Sequence, residues 1–297
     1  PSSMRSRMVI AAHPGIFLLG VLNVIYMNPL FLAGVTDPFG RNHLILAATC
    51  IVLIIALSIA IAKTNIKFST LINIMLILWV CSETTKLVVN MEYLLSDGST
   101  IEIIKYQAKE GVSIVRAFYP RTQLPFHLCS IQPLFILAVK FSKNEKLKDT
   151  LLKFIFPTAT LGAVIAILVG TVGGDLTDPH VYEYFLFHAS LTIFAISIVT
   201  KKQITITLKS HLQTLLIIFL MFVGSIWLNS ILSDTGTKSS GLYTNFFYSM
   251  KPPLDGLPIL NLNNGWFAYF FTIIGIGLSA ITLLQLPFII KSLKKSK

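Results

Sequence analysis

The residues best suited to chemistry lie in the segment Leu124-Pro125-Phe126-His127-Leu128-Cys129, where a proline opens an apolar stretch that carries an imidazole and a thiol. Ionisable groups inside such stretches are costly and are therefore functional candidates. A second imidazole, His188, occupies a comparable place in another apolar run. A histidine can accept the thiol proton, and the resulting thiolate is a nucleophile for acyl transfer. We therefore predict a Cys-His centre of Cys129 and His188, with a small apolar filler as the alternative role of the cysteine.

Glu83 and Lys86 form a second candidate cluster. They stand three residues apart in a predicted helix, which makes them neighbours on one face. In an apolar environment each charge needs a partner, so we expect the two to neutralise each other and to lock helix packing. The functional alternatives are a headgroup anchor, a proton or ion relay, and a carboxylate that orients the ring of His188.

The remaining polar groups suggest supporting roles. His127 would point about 200° away from Cys129 on a helix, so we expect it to support the site rather than to share its chemistry. A zinc site of His127, Cys129 and His188 has suitable ligand types but no recognised zinc spacing. The loop from Gly173 to His180 contains metal-capable side chains, although such runs are more commonly solvated turns. We predict neither a metal nor a cofactor.

Composition predicts that this chemistry takes place in a membrane. Of 297 residues 54% are hydrophobic and 12% are charged, whereas soluble domains carry about 25% charged residues. The deficit runs along the whole chain and predicts an all-α polytopic bundle. The net charge of +11 comes mainly from short loops and tails, so membrane topology explains it and a nucleic-acid partner is not expected. The three cysteines form no CxxC pair, which argues against a disulfide framework.

Seven segments have the length of about 20 apolar residues that a membrane-crossing helix needs. They run approximately over 43–62, 70–95, 124–141, 151–172, 182–199, 212–232 and 266–290. These segments make up a predicted membrane core of residues 43–297. In the N-terminal segment 1–42, a weaker eighth candidate at 16–35 is interrupted by Asn23, Asn28 and Pro29.

Lysine and arginine predict the orientation of these segments. The basic loops at Lys63, Lys143 and Lys201 and the basic C-terminal tail fall on one side when seven helices alternate. A cytoplasmic C-terminus in a multi-pass cell-membrane protein is therefore expected. Cys129 would then lie five residues and His188 six residues from the outer ends of their segments, both about 8–9 Å deep. This matched depth is the reason for pairing the two side chains.

The chain also resembles a known family at these residues. Leu-Pro-Phe-His-Leu-Cys at 124–129 resembles the Leu-Pro-Leu-His-Leu-Cys signature of the YwaF-type bacterial integral membrane family. The segment Phe185–His188 resembles the second histidine element of that family, and Asn245–Pro253 resembles its motif before the last helix. The resemblance covers roughly residues 39–288 and implies a bacterial membrane protein.

The resemblance implies lipid chemistry. The YwaF-type family is similar to the vertebrate TMEM-type membrane acyltransferase that moves acyl chains onto ether phospholipids, and more distantly to the androgen-induced-gene type of membrane lipid hydrolase. Carried over by motif, Cys129 is the acyl-carrying nucleophile and His188 the general base. The expected function is a phospholipid acyltransferase or thioesterase near the outer leaflet. The alternatives are a transporter or channel with Glu83, Lys86 and the histidines along a polar path, and a non-catalytic subunit that docks a partner.

Overall fold

The computed structural model describes residues 35–108, 110–170, 174–233, 243–254 and 256–295. In this part of the chain seven α-helices account for most residues, and the predicted all-α membrane bundle with seven core helices is confirmed. The helices are α1 Arg41–Lys63, α2 Phe68–Asn90, α3 Leu128–Phe141, α4 Glu145–Val169, α5 Pro179–Thr200, α6 Leu208–Leu232 and α7 Trp266–Lys295. The weaker candidate at 16–35 lies outside the described residues, apart from Val35.

Six of the described helices are long and apolar enough to cross a membrane, and α3 is a shorter apolar helix of 14 residues. Three predicted segments overran their helices; 151–172 does so only slightly, since α4 ends at Val169. The segment 70–95 stops being helical at Asn90, and the segment 124–141 becomes helical only at Leu128. Hydropathy explains the two larger errors, because an apolar run scores alike whether it is helical or extended. Pro125 adds a local reason, since a proline disfavours helical geometry in the residue before it.

Short strands connect the helices at one end of the bundle. Strand β1 (Val35–Thr36) pairs antiparallel with β5 (Gly174–Asp175). Between α2 and α3, an antiparallel sheet in the order β3-β2-β4 is formed by β2 (Glu92–Leu95), β3 (Thr100–Glu102) and β4 (Ile114–Phe118). We call this the site end of the bundle, because α2 and α4 finish here and α3 and α5 begin here.

Helices α4 and α5 form the centre of the bundle. About half of each is buried inside the protein, whereas only about a fifth to a quarter of α1, α2, α6 and α7 is buried, which leaves apolar surface suited to lipid. Small residues such as Ala159 and Ala195 are fully buried and let neighbouring backbones approach closely. Helix α5 packs against α1, α2 and α4, so it can present side chains to three helices at once.

Two contacts show that α2 and α5 run antiparallel. At the site end, Ser82 on α2 donates a hydrogen bond to Glu183 on α5. At the opposite end, Lys201 Nζ, just after α5, donates to the carbonyl oxygen of Thr64, just before α2, over 2.6 Å. A step towards the opposite end is therefore a step back along α2 and a step forward along α5.

His43 on α1 is a structural histidine. Its Nδ1 accepts from the backbone N–H of Phe39 over 2.8 Å, so Nε2 carries the proton and donates to the carbonyl oxygen of Ile167 over 2.9 Å. Both ring nitrogens are thus used to tie α1 to α4. Gly170, in the left-handed conformation after α4, leaves room for this ring, because a Cβ there would lie 2.4 Å from Nε2.

Candidate functional site

A group of polar side chains gathers at the site end, between α2, α5 and the segment that leads into α3. This polar cluster consists of Ser82, Glu83, Lys86, Tyr119, His127, His180, Glu183 and His188. Lys86 interacts electrostatically with all three of these histidines and with Glu183, which gives it the central place in the cluster.

The predicted pairing of Glu83 with Lys86 is confirmed. Lys86 Nζ lies 2.5 Å from Glu83 Oε1, and the side chains keep 11% and 27% of their exposure. Because the pair is largely shielded from water, removal of either charge leaves the other poorly compensated. Ser82, the preceding residue on α2, reaches across to Glu183 on α5. Glu183 lies in the first turns of α5, which begins at Pro179, three residues before the predicted start at 182.

Two further residues surround this charged pair. His180 Nε2 lies 3.7 Å from Glu183 Oε2, one turn away on α5. Tyr119 follows strand β4, and its burial, followed by the charges of Glu83 and Glu183, raises its pKa to about 12. The phenol therefore stays neutral and able to donate. Sequence inspection missed the roles of Tyr119 and Glu183, and the only signal was the spacing of His180 and Glu183 on one helix face.

The ring of His188 is oriented by its own helix. Its Nδ1–H donates to the carbonyl oxygen of Tyr184 over 2.6 Å, one turn earlier on α5. A neutral imidazole with a protonated Nδ1 has a bare Nε2, which is the atom that can accept a proton. Within the described residues this Nε2 has no hydrogen-bond partner. The expectation that Glu83 or Lys86 orients the ring is therefore wrong, because a backbone carbonyl does so and Lys86 acts on it only through its charge.

Cys129 is the second residue of α3 and is buried against α4. Gly162 on α4 makes room for the thiol, since a Cβ there would lie 3.1 Å from Cys129 Sγ. Pro133 has no N–H, so the carbonyl group of Cys129 lacks its usual helical donor. Cys50, in contrast, is a structural thiol whose S–H is directed at the carbonyl oxygen of Phe185 over 3.7 Å. Among the described residues Cys129 Sγ has no such acceptor.

Contacts along α4 and α5 give the relative depth of Cys129 and His188. Tyr184 donates its hydroxyl to the carbonyl oxygen of Ala166 over 2.9 Å, which sets these two residues at one level. One turn towards the opposite end, α4 presents Gly162, which contacts Cys129, and α5 presents His188. The Tyr184–Ala166 contact thus ties α4 to α5 one turn from Gly162 and from His188, which places the thiol and the imidazole in the same part of the bundle. No hydrogen bond joins them within the described residues.

His127 lies outside the helix that the sequence assigns to it. It is the residue before α3, with extended backbone angles, so the predicted angle of about 200° between it and Cys129 does not apply. Its ring packs edge-on against Phe246, with 5.2 Å between centroids, and lies 5.5 Å from the ring of Tyr248. Burial, followed by the charge of Lys86, lowers the pKa of His127, so the ring stays neutral near pH 7.

The aromatic loop before α7 folds into the bundle over His127. Phe246 and Phe247 are buried, so these two rings do not form part of an aromatic belt at a membrane interface. Asn229 on α6 holds the loop, since its Oδ1 accepts from the N–H of Phe246 over 2.8 Å and its Nδ2 donates to the carbonyl oxygen of Phe246 over 3.1 Å. Phe247 and Tyr248 adopt consecutive left-handed conformations, a strain that the surrounding bonds must offset.

The side chains of the loop before α5 cap the helix and stabilise the turn that precedes it. Asp178 accepts from the backbone N–H of His180 over 2.8 Å and so caps α5. Asp175 accepts from the N–H and the hydroxyl group of Thr177, each over 2.8 Å. Throughout the ranges that the structure describes, no three histidine, cysteine, aspartate or glutamate side chains are arranged as metal ligands.

Comparison with known proteins adds a family match. The profile of the TMEM164 family matches residues 38–285, which is most of the chain and includes all the site residues named above. No curated protein and no solved structure shows significant similarity to the chain. The resemblance to the YwaF-type family and the bacterial origin that it implies stay predictions.

Proposed function

The chain belongs to the TMEM164 family of membrane proteins, and on that premise we propose that it is a phospholipid acyltransferase or thioesterase with Cys129 as nucleophile and His188 as general base. One observation carries the proposal. His188 is held by the Tyr184 carbonyl in the tautomer that leaves Nε2 open, and the buried thiol of Cys129 lies against the neighbouring helix α4. A thiol and an open imidazole nitrogen are the two groups that cysteine acyl chemistry requires.

The reaction has two steps. His188 Nε2 takes the proton of Cys129, and Sγ attacks the ester carbonyl of a phospholipid to form a C–S bond. The C–O bond then breaks, and His188 returns the proton to the oxygen of the departing lysolipid. In the second step a hydroxyl group, from another lysolipid or from water, gives its proton to His188 and attacks the thioester carbonyl to form a new C–O bond. The C–S bond then breaks, and His188 returns the proton to the departing sulfur, which restores the thiol. The thiol and the ring must approach each other when substrate binds, as catalytic hydrogen bonds commonly do.

The polar cluster would receive the lipid headgroup. Lys86 supplies a cation for the phosphate, and Glu83 is its ion-pair partner within the protein. The acyl chain would enter the apolar region around Cys129, below the cluster. The site end then faces the outer leaflet and the C-terminus is cytoplasmic, since the basic residues Lys63 and Lys201 lie at the opposite end of the bundle.

A covalent adduct tests the proposal. Purified protein in nanodiscs is incubated with phosphatidylcholine carrying a fluorescent acyl chain, and bound fluorescence is measured before and after hydroxylamine treatment. We expect a hydroxylamine-sensitive adduct that is lost in Cys129→Ala and kept in Cys50→Ala, a matched buried thiol. In His188→Gln, adduct formation should slow at least about 100-fold, the usual contribution of a general base.

Two results would contradict this function. An adduct that survives in Cys129→Ala would rule out this nucleophile, and the absence of any adduct or lipid turnover in the unmodified protein would rule out the chemistry. Solute flux in proteoliposomes that persists in Cys129→Ala, with no acyl transfer, would instead support the transporter or channel. Such flux should depend on Lys86, the charge at the centre of the cluster.

A further inference from the structure

Trp79 carries a buried hydrogen-bond donor that the protein does not use. Its indole Nε1 is sealed from solvent and has no acceptor within the described residues. Trp266, in contrast, donates its Nε1–H to the carbonyl oxygen of Ser249 over 3.0 Å, and Trp227 is 70% exposed on α6. A buried donor without an acceptor lowers the free energy of unfolding, so such donors are rare and can indicate a binding site.

Trp79 belongs to the same apolar region as the proposed nucleophile. Its side chain packs against the cluster of buried residues that contains Cys129, Phe187 and Leu191. Phe187 and Leu191 flank His188 along α5. The indole therefore belongs to the same apolar core as the thiol, and it enters that core from α2.

The antiparallel pairing of α2 and α5 gives the depth of the indole. Ser82 and Glu183 are hydrogen-bonded and mark one level. From that level Trp79 lies three residues, about 4.5 Å, towards the opposite end, and His188 lies five residues, about 7.5 Å, in the same direction. Helical side chains lean towards the N-terminus of their own helix. The indole of Trp79 thus leans further down and the ring of His188 leans up, so the two converge on one level.

The indole N–H of Trp79 needs a hydrogen-bond acceptor, and an acyl ester provides one. An indole N–H can only donate, and the carbonyl oxygen of an acyl ester can only accept. When a thiolate attacks that carbonyl, negative charge develops on the oxygen, and a donor held ready in a water-free site stabilises it strongly. Buried orphan oxygens, such as Gln132 Oε1, cannot play this part because they accept rather than donate.

Resting on the function proposed above, we infer that Trp79 is the oxyanion donor of the site. Its Nε1–H forms a hydrogen bond to the carbonyl oxygen of the acyl ester, strengthens that bond as the tetrahedral intermediate forms, and keeps its proton throughout. The same bond then polarises the thioester on Cys129 for the second step. The substrate class that satisfies the orphan donor is a carbonyl-bearing lipid.

Two matched variants test this role. Acyl transfer from radiolabelled phosphatidylcholine to a lysophospholipid is measured in nanodiscs for Trp79→Phe and for Trp227→Phe, the control on the exposed surface of α6. We expect kcat to fall about 100-fold in Trp79→Phe, as for other lost oxyanion donors, with KM within about threefold of the unmodified protein. Trp227→Phe should leave both constants unchanged.

A spectroscopic readout separates this role from simple packing. In protein acylated with a ¹³C-labelled carbonyl group, the infrared carbonyl stretch should lie at lower frequency with Trp79 than with phenylalanine at that position. If Trp79→Phe does not fold, benzothienylalanine at position 79 keeps the shape of the ring and removes only the N–H, and it should give the same loss of kcat.

The outcomes distinguish the role of Trp79 from the proposed acyl-transfer function on which it rests. Cys129-dependent transfer with equal kcat in the two phenylalanine variants, or an unshifted carbonyl stretch, would overturn the role of Trp79 alone. Full activity with benzothienylalanine would do the same. A protein that transfers no acyl chain in any form would overturn both proposals together.

Discussion

Replacement of Lys86 by methionine should destabilise the protein far more than the same change at Lys105. Both lysines pair with a glutamate three residues earlier at a similar distance, 2.5 Å for Lys86 with Glu83 and 2.7 Å for Lys105 with Glu102. They differ in exposure, since the side chains keep 11% and 27% in the first pair and 57% and 33% in the second. The two pairs share residue types and spacing but differ in burial and in surroundings, since Lys86 also interacts with three histidines and Glu183.

The expected magnitudes follow from this difference. Removing one partner of a buried pair lowers the free energy of unfolding by about 3–5 kcal/mol. Because Glu83 is partly exposed, we expect a loss of about 3 kcal/mol for Lys86→Met. Exposed pairs contribute about 0–1 kcal/mol, so Lys105→Met should cost at most about 1 kcal/mol. A difference of about 2 kcal/mol changes the unfolding equilibrium constant roughly 30-fold.

Reversible unfolding in mixed micelles, followed by circular dichroism during a denaturing-detergent titration, measures these free energies. The double variant with Glu83→Gln should recover part of the loss, because one uncompensated carboxylate is removed while Glu183 remains near the vacated position. Equal costs for Lys86→Met and Lys105→Met, or no recovery in the double variant, would refute the reasoning that Lys86 compensates charges in a water-poor cluster.

Three further outcomes can be checked with the same preparation. Gly162→Ala should slow acylation of Cys129, since the new Cβ would lie 3.1 Å from the sulfur. The control Gly224→Ala has open space on α6, so it should leave activity unchanged and add up to about 1 kcal/mol to the free energy of unfolding. Equal acylation rates in the two variants would exclude crowding. Asn229→Leu should cost about 2–3 kcal/mol of unfolding free energy and increase hydrogen exchange in the loop before α7, because two buried backbone bonds are lost, and unchanged exchange would argue against the clamp. Burial lowers the pKa of His127 in the folded protein, so on acidification the imidazole is protonated in the unfolded chain first. The free energy of unfolding should therefore fall below about pH 6.5, by up to about 1.4 kcal/mol per pH unit. His127→Phe should flatten that slope.

The local patterns of the sequence predict much of this protein. Apolar runs predict the fold class and the seven core helices, and the spacing of Glu83 and Lys86 predicts their ion pair, because neighbours on one helix face are decided by the helix itself. The types of Cys129 and His188 single them out as candidates, since ionisable groups are rare in apolar segments. Their catalytic roles stay predictions.

Local patterns fail where a chain segment changes conformation without changing composition. The residues before Leu128 are as apolar as those after it, yet they are extended, and this difference removes His127 from the helix. The loop around Phe246 is aromatic enough for a membrane interface, yet Asn229 draws it inside the bundle. Hydropathy predicts neither the extended segment nor the buried loop, because it depends on residue type and not on the contacts that each residue makes.

The sequence by itself determined that this chain is a helical membrane bundle with a thiol, imidazoles and an ion pair in apolar surroundings, because residue type and helical spacing are written in the order of the chain. Only the tertiary structure decided that Glu183 faces α2, that Gly162 makes room for Cys129, and that the indole N–H of Trp79 finds no acceptor among the described residues. These facts depend on how each helix is rotated and how far it slides along its neighbours. That geometry comes from packing between segments far apart in sequence, and no single segment encodes it.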